Sequence, residues 1–180
     1  MRLFVGIALP PDIRLVLGML CSGISGARWV NTENMHMTLR FIGETDGRGT
    51  SDLNAALDDI QMPAFDIAFF GIGHFSNKSR LRAIWAGVEA NEALLKLQAK
   101  VQKAALRAGF KPEGRKFKPH VTLARFRGQQ IDLRDYFGAN GGFSTAPFSV
   151  EAVTLFESHL GRGGAHYVAL KDYPLFGKSP

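Results

Sequence analysis

Apolar and polar residues follow two different periodicities in the first part of the chain. Residues 2–9 are almost uniformly apolar, which predicts a buried strand. The next apolar positions have the i, i+3, i+4, i+7 spacing of an amphipathic helix. We expect this helix to start at Pro10-Pro11 and to end near residues 22–23, with a buried face made of Ile13, Val16, Leu17 and Leu20.

A strand, a helix and a strand pair are predicted for residues 35–89. The strand covers about residues 35–42. Residues 46–49 have the composition of a loop, and Thr50 or Ser51 is expected to cap a helix that Pro63 closes. Residues 65–75 and 81–89 are predicted to form two strands around a turn at residues 76–79.

The second half of the chain contains a comparable set of elements. A helix is expected to start after Asn91 and to stop at Gly109, followed by a basic loop over residues 111–118. Residues 129–146 are predicted to be irregular around a short helix. Residues 148–159 and 165–170 are predicted to form a hairpin across residues 161–164. Because no low-complexity linker separates the halves, we predict two lobes of one domain.

Composition narrows the class of protein. A chain of 180 residues with 46% hydrophobic residues is long enough to bury a sizeable core. Cys21 is the only cysteine, so neither an intrachain disulfide nor a cysteine-based metal site is possible. No signal peptide or membrane-spanning run is visible, and we expect a cytoplasmic protein. The net charge of +6 suits a polyanionic partner.

A His-x-Thr-Leu motif occurs twice, and its histidines, His36 and His120, are 84 residues apart. On a strand, side chains at i and i+2 lie on one face, so each histidine shares its face with Thr38 or Thr122. The residues between them face the core. Imidazole titrates near neutral pH and a hydroxyl donates hydrogen bonds. If the two copies face each other, they form a site with two histidines.

These motifs and several other segments resemble one family. Residues 2–10, 28–30, 81–88, 155–158 and 164–167 are similar to the corresponding parts of the 2H phosphoesterases. The resemblance is strongest to the RNA 2′,3′-cyclic phosphodiesterase (2′-5′ RNA ligase) branch. It implies an α+β fold over residues 1–180, with two pseudo-symmetric lobes of mainly antiparallel sheet and outer helices. A central cleft would carry both motifs.

The resemblance also implies an activity that two histidines can perform. The expected reaction is metal-independent hydrolysis of RNA 2′,3′-cyclic phosphate ends to 2′-phosphomonoesters, with minor reversible 2′-5′ RNA ligation. Catalysis is assigned to His36 as the acid for the leaving oxygen and His120 as the base for water. Phosphate binding is assigned to Thr38, Thr122 and Arg125. No cofactor or metal is implied.

Two other functions stay open beside RNA hydrolysis. The chain could hydrolyse a small cyclic nucleotide, or it could be a non-catalytic module that binds nucleotides or RNA. The expected partners are RNA with a 2′,3′-cyclic phosphate terminus, tRNA fragments among them, or small cyclic nucleotides. We expect no membrane partner and a monomer.

Strand alternation raises a difficulty for Arg125. Counted from His120, its side chain should point to the opposite face, so a strand end or a bulge must turn it toward the site. Arg40 shares the predicted face of His36, and we hold solvent exposure and ligand contact open for it. His74, His159 and His166 have no threonine two residues later and are predicted to be structural or surface groups.

Overall fold

The computed structural model describes residues 1–161 and 164–177. In these residues the strands are β1 (Arg2–Ala8), β2 (Arg28–Trp29), β3 (His36–Glu44), β4 (Phe65–Ile67), β5 (Phe69–Asn77), β6 (Arg80–Val88), β7 (His120–Arg125), β8 (Phe148–Val150), β9 (Ala152–Gly161) and β10 (Gly164–Pro174). The helices are α1 (Pro11–Gly18), α2 (Gly47–Asp58), α3 (Glu92–Arg107) and α4 (Arg134–Asn140), with one short 3₁₀ helix at Thr32–Asn34.

One antiparallel sheet contains most of the strands. Its order is β10-β9-β1-β3-β7-β6-β5, with β2 paired to β7, and β4 and β8 form a separate pair. The two motif strands, β3 and β7, are therefore neighbours in the middle of the sheet. The predicted α+β class with a mainly antiparallel sheet is confirmed.

The two halves of the sheet do not correspond to the two halves of the chain. The hairpin β9–β10 comes last in sequence, but it lies beside β1 and so completes the half of the sheet that contains β3. The other half consists of β5, β6 and β7. The two centre-facing pairs, β1–β3 and β6–β7, still correspond to each other. The turn at residues 162–163 lies outside the described residues.

The helices pack where the apolar periodicity predicts. α3 lies against β3, and α2 lies against α3. Asn91 caps α3 as predicted, because its side-chain oxygen accepts a hydrogen bond from the Leu94 N–H at 2.9 Å. The buried positions of α3 are Leu94, Leu97, Val101, Ala104 and Ala105.

Some predicted boundaries are wrong. α2 starts at Gly47 and not after Thr50 or Ser51, because the Asp46 carboxylate accepts a hydrogen bond from the Gly49 N–H at 2.8 Å and provides an earlier cap. The α1 helix ends at Gly18, earlier than expected. The strand predicted over residues 65–75 is divided at residue 68, and its first part pairs with β8.

No helix within residues 1–161 and 164–177 is long and apolar enough to cross a membrane.

Candidate active site

The two motifs face each other across the junction of β3 and β7. Met37 on β3 pairs with Val121 on β7. Continuing this antiparallel register by one residue on each side places His36 opposite Thr122 and Thr38 opposite His120. His36 and His120 are then diagonal neighbours, which in a regular antiparallel pair are roughly 7–8 Å apart. Met37 and Val121 point to the other face and are fully buried, so all four motif side chains share one face.

The His36 ring is held by a backbone hydrogen bond and by aromatic packing. Its Nδ1 lies 2.7 Å from the Asn34 carbonyl oxygen. Ring centroids of Phe4, Tyr167 and Phe156 lie 4.6, 4.7 and 5.7 Å from the imidazole. The pKa of His36 is lowered to about 4, mainly by burial; the hydrogen bond to Asn34 opposes this shift, and the positive charges of Arg125 and His120 add to it.

The His120 ring has corresponding surroundings. Its Nδ1 lies 2.6 Å from the Lys118 carbonyl oxygen, again two residues before the histidine. Phe75 meets the imidazole edge to face at 5.0 Å, and Trp85 lies 5.9 Å away. Burial lowers the pKa of His120, and the charges of Arg125 and Lys118 add to the effect, against the hydrogen bond to Lys118.

The Nε2 atoms of the two histidines and the hydroxyls of the two motif threonines are free to bind a ligand. A carbonyl oxygen only accepts, so each histidine must donate from Nδ1, and the neutral ring then has an unprotonated Nε2. Within the described residues, neither Nε2 has a hydrogen bond, and neither do the Thr38 and Thr122 hydroxyls. The arrangement therefore offers two bases and two hydroxyl donors on one face of the sheet.

A β-bulge brings Arg125 onto the same face as His120. Ile84 pairs with Ala124, but the next residue, Trp85, pairs with Thr122, so Leu123 is an extra residue on β7. One extra residue reverses the alternation of the side chains beyond it. Arg125 is accordingly exposed, and its charge lowers the pKa of both histidines. Because no acidic partner is found in the described part of the chain, Arg125 is available to an anion.

A corresponding β-bulge on β3 turns Arg40 away from the histidine face. Leu39 is the extra residue there, between the pairs Val5–Arg40 and Gly6–Thr38. Arg40 therefore points into the protein, where only 6% of it is exposed. Its guanidinium lies 3.2 Å from the Glu113 carboxylate and donates to the Lys111 carbonyl. Both predictions left open for Arg40, solvent exposure and ligand contact, are therefore wrong.

Comparison with known proteins identifies the family. Residues 25–162 match the family model of the 2′-5′ RNA ligase superfamily. The chain belongs to this superfamily.

Relatives in the superfamily agree over nearly the whole chain. An RNA 2′,3′-cyclic phosphodiesterase of Archaeoglobus fulgidus is 29% identical over 176 residues, covering 96% of this chain and 99% of that protein. The RNA 2′,3′-cyclic phosphodiesterase of Escherichia coli is 28% identical over 178 residues, covering 97% and 96%. The structure of Escherichia coli LigT with 3′-AMP superposes with a TM-score of 0.82 at 27% identity, covering 97% of both chains. LigT with phosphate gives a TM-score of 0.78 at 26% identity, with the same coverage.

In this member of the superfamily, the other histidines lie outside the paired motifs. His74 is exposed and bonded to Ser76, and His159 lies 3.1 Å from the Glu157 carboxylate. His166 faces His159 across the β9–β10 hairpin. No group of three potential metal-binding His, Cys, Asp or Glu side chains is found in residues 1–161 and 164–177.

Sequence reasoning missed the residues that surround the two rings. Asn34 and Lys118 each lie two residues before a motif histidine. This shared position was the signal that could have identified them. The aromatic neighbours had a weaker signal, since they come from five different strands, β1, β5, β6, β9 and β10. They are Phe4, Phe75, Trp85, Phe156 and Tyr167. Their strands become neighbours only in the folded sheet.

Proposed function

We propose that the chain hydrolyses the 2′,3′-cyclic phosphate at the end of an RNA strand to a 2′-phosphomonoester. The observation that supports this most directly is the pair of histidines on adjacent central strands, each with Nδ1 held by a backbone carbonyl and Nε2 left for a ligand. Relatives that match nearly the whole chain are named for this reaction. Binding alone would not require two oriented imidazoles.

The proposed reaction needs one proton accepted and one donated. The Nε2 of a neutral imidazole removes a proton from water as the water oxygen attacks phosphorus. The Nε2–H of the other, protonated imidazole gives its proton to the ribose 3′-oxygen as the P–O3′ bond breaks. Each transfer typically contributes about 10²–10⁴-fold to the rate. Ligation is the same displacement with a 5′-hydroxyl in place of water as the nucleophile, while the P–O3′ bond breaks; water in large excess favours hydrolysis.

Thr38, Thr122 and Arg125 are proposed to bind the phosphate. Their hydroxyl and guanidinium groups lie on the histidine face and have no protein partner in the described residues. The non-bridging oxygens of the phosphate gain charge in the transition state, and oriented donors stabilise that charge. The guanidinium can donate two parallel hydrogen bonds to these oxygens.

The electrostatics of the two rings bear on which one is the acid. The pKa of His36 falls to about 4, so His36 is the ring that is more firmly neutral. Because a general acid must carry a proton, the structure favours His120 as the acid and His36 as the base. This is the reverse of the assignment that the family resemblance implies. A bound phosphate anion raises both pKa values by charge attraction, so the two assignments require a kinetic test.

Turnover measurements on two substrates test the proposal. An RNA ending in a 2′,3′-cyclic phosphate should be hydrolysed faster than ADP-ribose 1″,2″-cyclic phosphate, with binding of both recorded in parallel. Faster turnover of the second substrate would favour a small cyclic nucleotide phosphodiesterase. Binding without turnover of either would favour a non-catalytic module.

Four expectations from the sequence stay predictions. They are a monomeric state, a cytoplasmic location, tRNA fragments as substrates, and a single domain over residues 1–180.

Replacement of the histidines supplies the second part of the test. His36→Ala and His120→Ala should each lower kcat about 10²-fold or more while the circular dichroism spectrum stays native. His74→Ala is the matched control, because His74 is an exposed histidine that contacts neither motif. An active double variant His36→Ala/His120→Ala would refute the proposal.

A further inference from the structure

The two halves of the candidate site, one around His36 and one around His120, match in backbone but not in charge. The register relates His36 to His120, and the two bulged leucines occupy the same position in both motifs. Phe41 therefore corresponds to Arg125, and Asn34 corresponds to Lys118. Phe41 is 55% exposed and packs beside Phe4 on the histidine face. The half around His120 carries two cations at positions where the half around His36 carries an amide and an aromatic ring.

Lys118 is held at the edge of this positive half. Its Nζ lies 4.6 Å above the Trp85 ring and 5.7 Å from the Phe75 ring. These are the two aromatic residues that contact the His120 imidazole. A cation over an aromatic face is attracted to it but keeps its hydrogen-bond donors. Within residues 1–161 and 164–177, Lys118 has no acidic partner, so its charge is not neutralised.

Two other basic residues, one in the loop before His120 and one on α3, are paired with carboxylates. Arg115, in the same loop as Lys118, lies 3.8 Å from the Glu113 carboxylate. Arg107, the last residue of α3, lies 3.6 Å from the Asp59 carboxylate and donates to the Ala56 carbonyl. Lys118 is therefore distinguished from these cations by both its free charge and its contact with the walls of the active site.

We propose that Lys118 binds the phosphate immediately 5′ to the terminal nucleotide and so selects an RNA strand over a cyclic mononucleotide. This rests on the proposed function. The terminal nucleotide of an RNA carries the cyclic phosphate on its 2′ and 3′ oxygens and a second phosphate on its 5′ oxygen. If Arg125 and the histidines hold the first phosphate, the strand leaves the site over the half around His120, where Lys118 is a second cation without an acidic partner among the described residues. The terminal ribose then lies toward the half around His36. A cyclic mononucleotide has no second phosphate and makes no such contact.

Lys118 can be changed without removing its backbone contact. The His120 ring is oriented by the carbonyl oxygen of Lys118. This oxygen belongs to the backbone, so it is retained in every variant at this position. Lys118→Gln removes the charge, and Lys118→Arg retains it. Lys116→Gln is the matched control, since it removes an exposed charge two residues earlier in the same loop.

The test compares a tetranucleotide ending in a 2′,3′-cyclic phosphate with the corresponding cyclic mononucleotide. Lys118→Gln should lower the ratio of the two kcat/KM values about 5- to 10-fold. For the tetranucleotide, the negative slope of log affinity against log salt should become shallower by about 0.7, the value for one phosphate contact on a single strand. Lys118→Arg should restore most of the ratio, and Lys116→Gln should leave it as in the wild type.

Two results would overturn the proposal. Equal losses of kcat/KM on both substrates would mean that Lys118 acts through His120 or the aromatic wall, and no loss on either substrate would mean that its charge is only solvated. If the protein hydrolyses neither substrate, the proposed function fails, but the inference is still measurable. The same ratio is then taken from dissociation constants of the tetranucleotide and mononucleotide carrying a terminal 2′-phosphate, measured by titration.

Discussion

Burial of the His36 ring should make the protein less stable as the solution becomes acidic. The pKa of His36 is about 4 in the folded protein, whereas an unfolded histidine has a pKa of about 6.5. Between these values the unfolded chain binds a proton that the folded chain excludes, so protonation favours unfolding. The stabilisation is fully present above pH 6.5 and is lost as the pH falls toward 4.

The size of the effect follows from the two pKa values. Linkage gives a loss of about 2 kcal/mol in the free energy of unfolding at pH 5, and about 3 kcal/mol at pH 4, from this one group. His36→Gln replaces the ring with an uncharged side chain and should remove this contribution. The variant should therefore lose about 2 kcal/mol less than the wild type between pH 7.5 and pH 5. His120 contributes to the pH dependence of both proteins, so its contribution largely cancels in the difference.

Urea denaturation at the two pH values, followed by tryptophan fluorescence, measures this difference. The comparison uses the change with pH within each protein, so any packing lost in the variant at pH 7.5 is subtracted. His74→Gln controls for the loss of an imidazole elsewhere on the sheet. The reasoning is refuted if His36→Gln and the wild type lose the same free energy of unfolding between pH 7.5 and pH 5.

Four further outcomes are expected. With a substrate whose leaving 3′-oxygen is replaced by sulfur, which departs without a proton, the alanine variant of the acid is rescued: the electrostatics predict rescue of His120→Ala, and the resemblance predicts rescue of His36→Ala. Excess EDTA should leave the rate unchanged, because the proposed acid, base and anion donors are side chains. One acid and one base give a bell-shaped pH–rate profile. Arg125→Gln should lower kcat/KM about 10-fold or more and move both limbs of this profile to higher pH, because the guanidinium lowers the pKa of both histidines. Arg40→Met should cost about 2 kcal/mol of stability, because it leaves the Glu113 carboxylate without its buried partner.

Each of these outcomes has a control and a contrary result. Rescue of neither alanine variant would indicate that the histidines mainly bind the phosphate. Loss of activity on chelation that a divalent ion restores would contradict the two-histidine mechanism. For Arg125→Gln, the control is Arg127→Gln, an exposed arginine two residues later, and an unmoved pH profile would place the guanidinium far from the rings. For Arg40→Met, adding Glu113→Gln should recover part of the loss, and full additivity would argue against the ion pair.

The sequence alone determined the local features of this protein. Regular apolar spacing predicts α3, and a side-chain oxygen at Asn91 predicts its start, because both signals act within a few residues. The repeated His-x-Thr motif placed each histidine beside its threonine, since alternation along a strand is a local property. It also identified Arg125 as a residue that required a bulge.

The tertiary structure decided which residues meet. Whether Arg40 or Arg125 reaches the site depends on one extra leucine in each strand, and register is fixed by pairing with β1 and β6, not by the strand itself. The hairpin β9–β10 reaches His36 because it pairs with β1, more than 140 residues earlier in the chain. The depressed pKa of His36 results from burial under rings on three strands, and desolvation is a property of the assembled sheet that no single stretch of sequence contains.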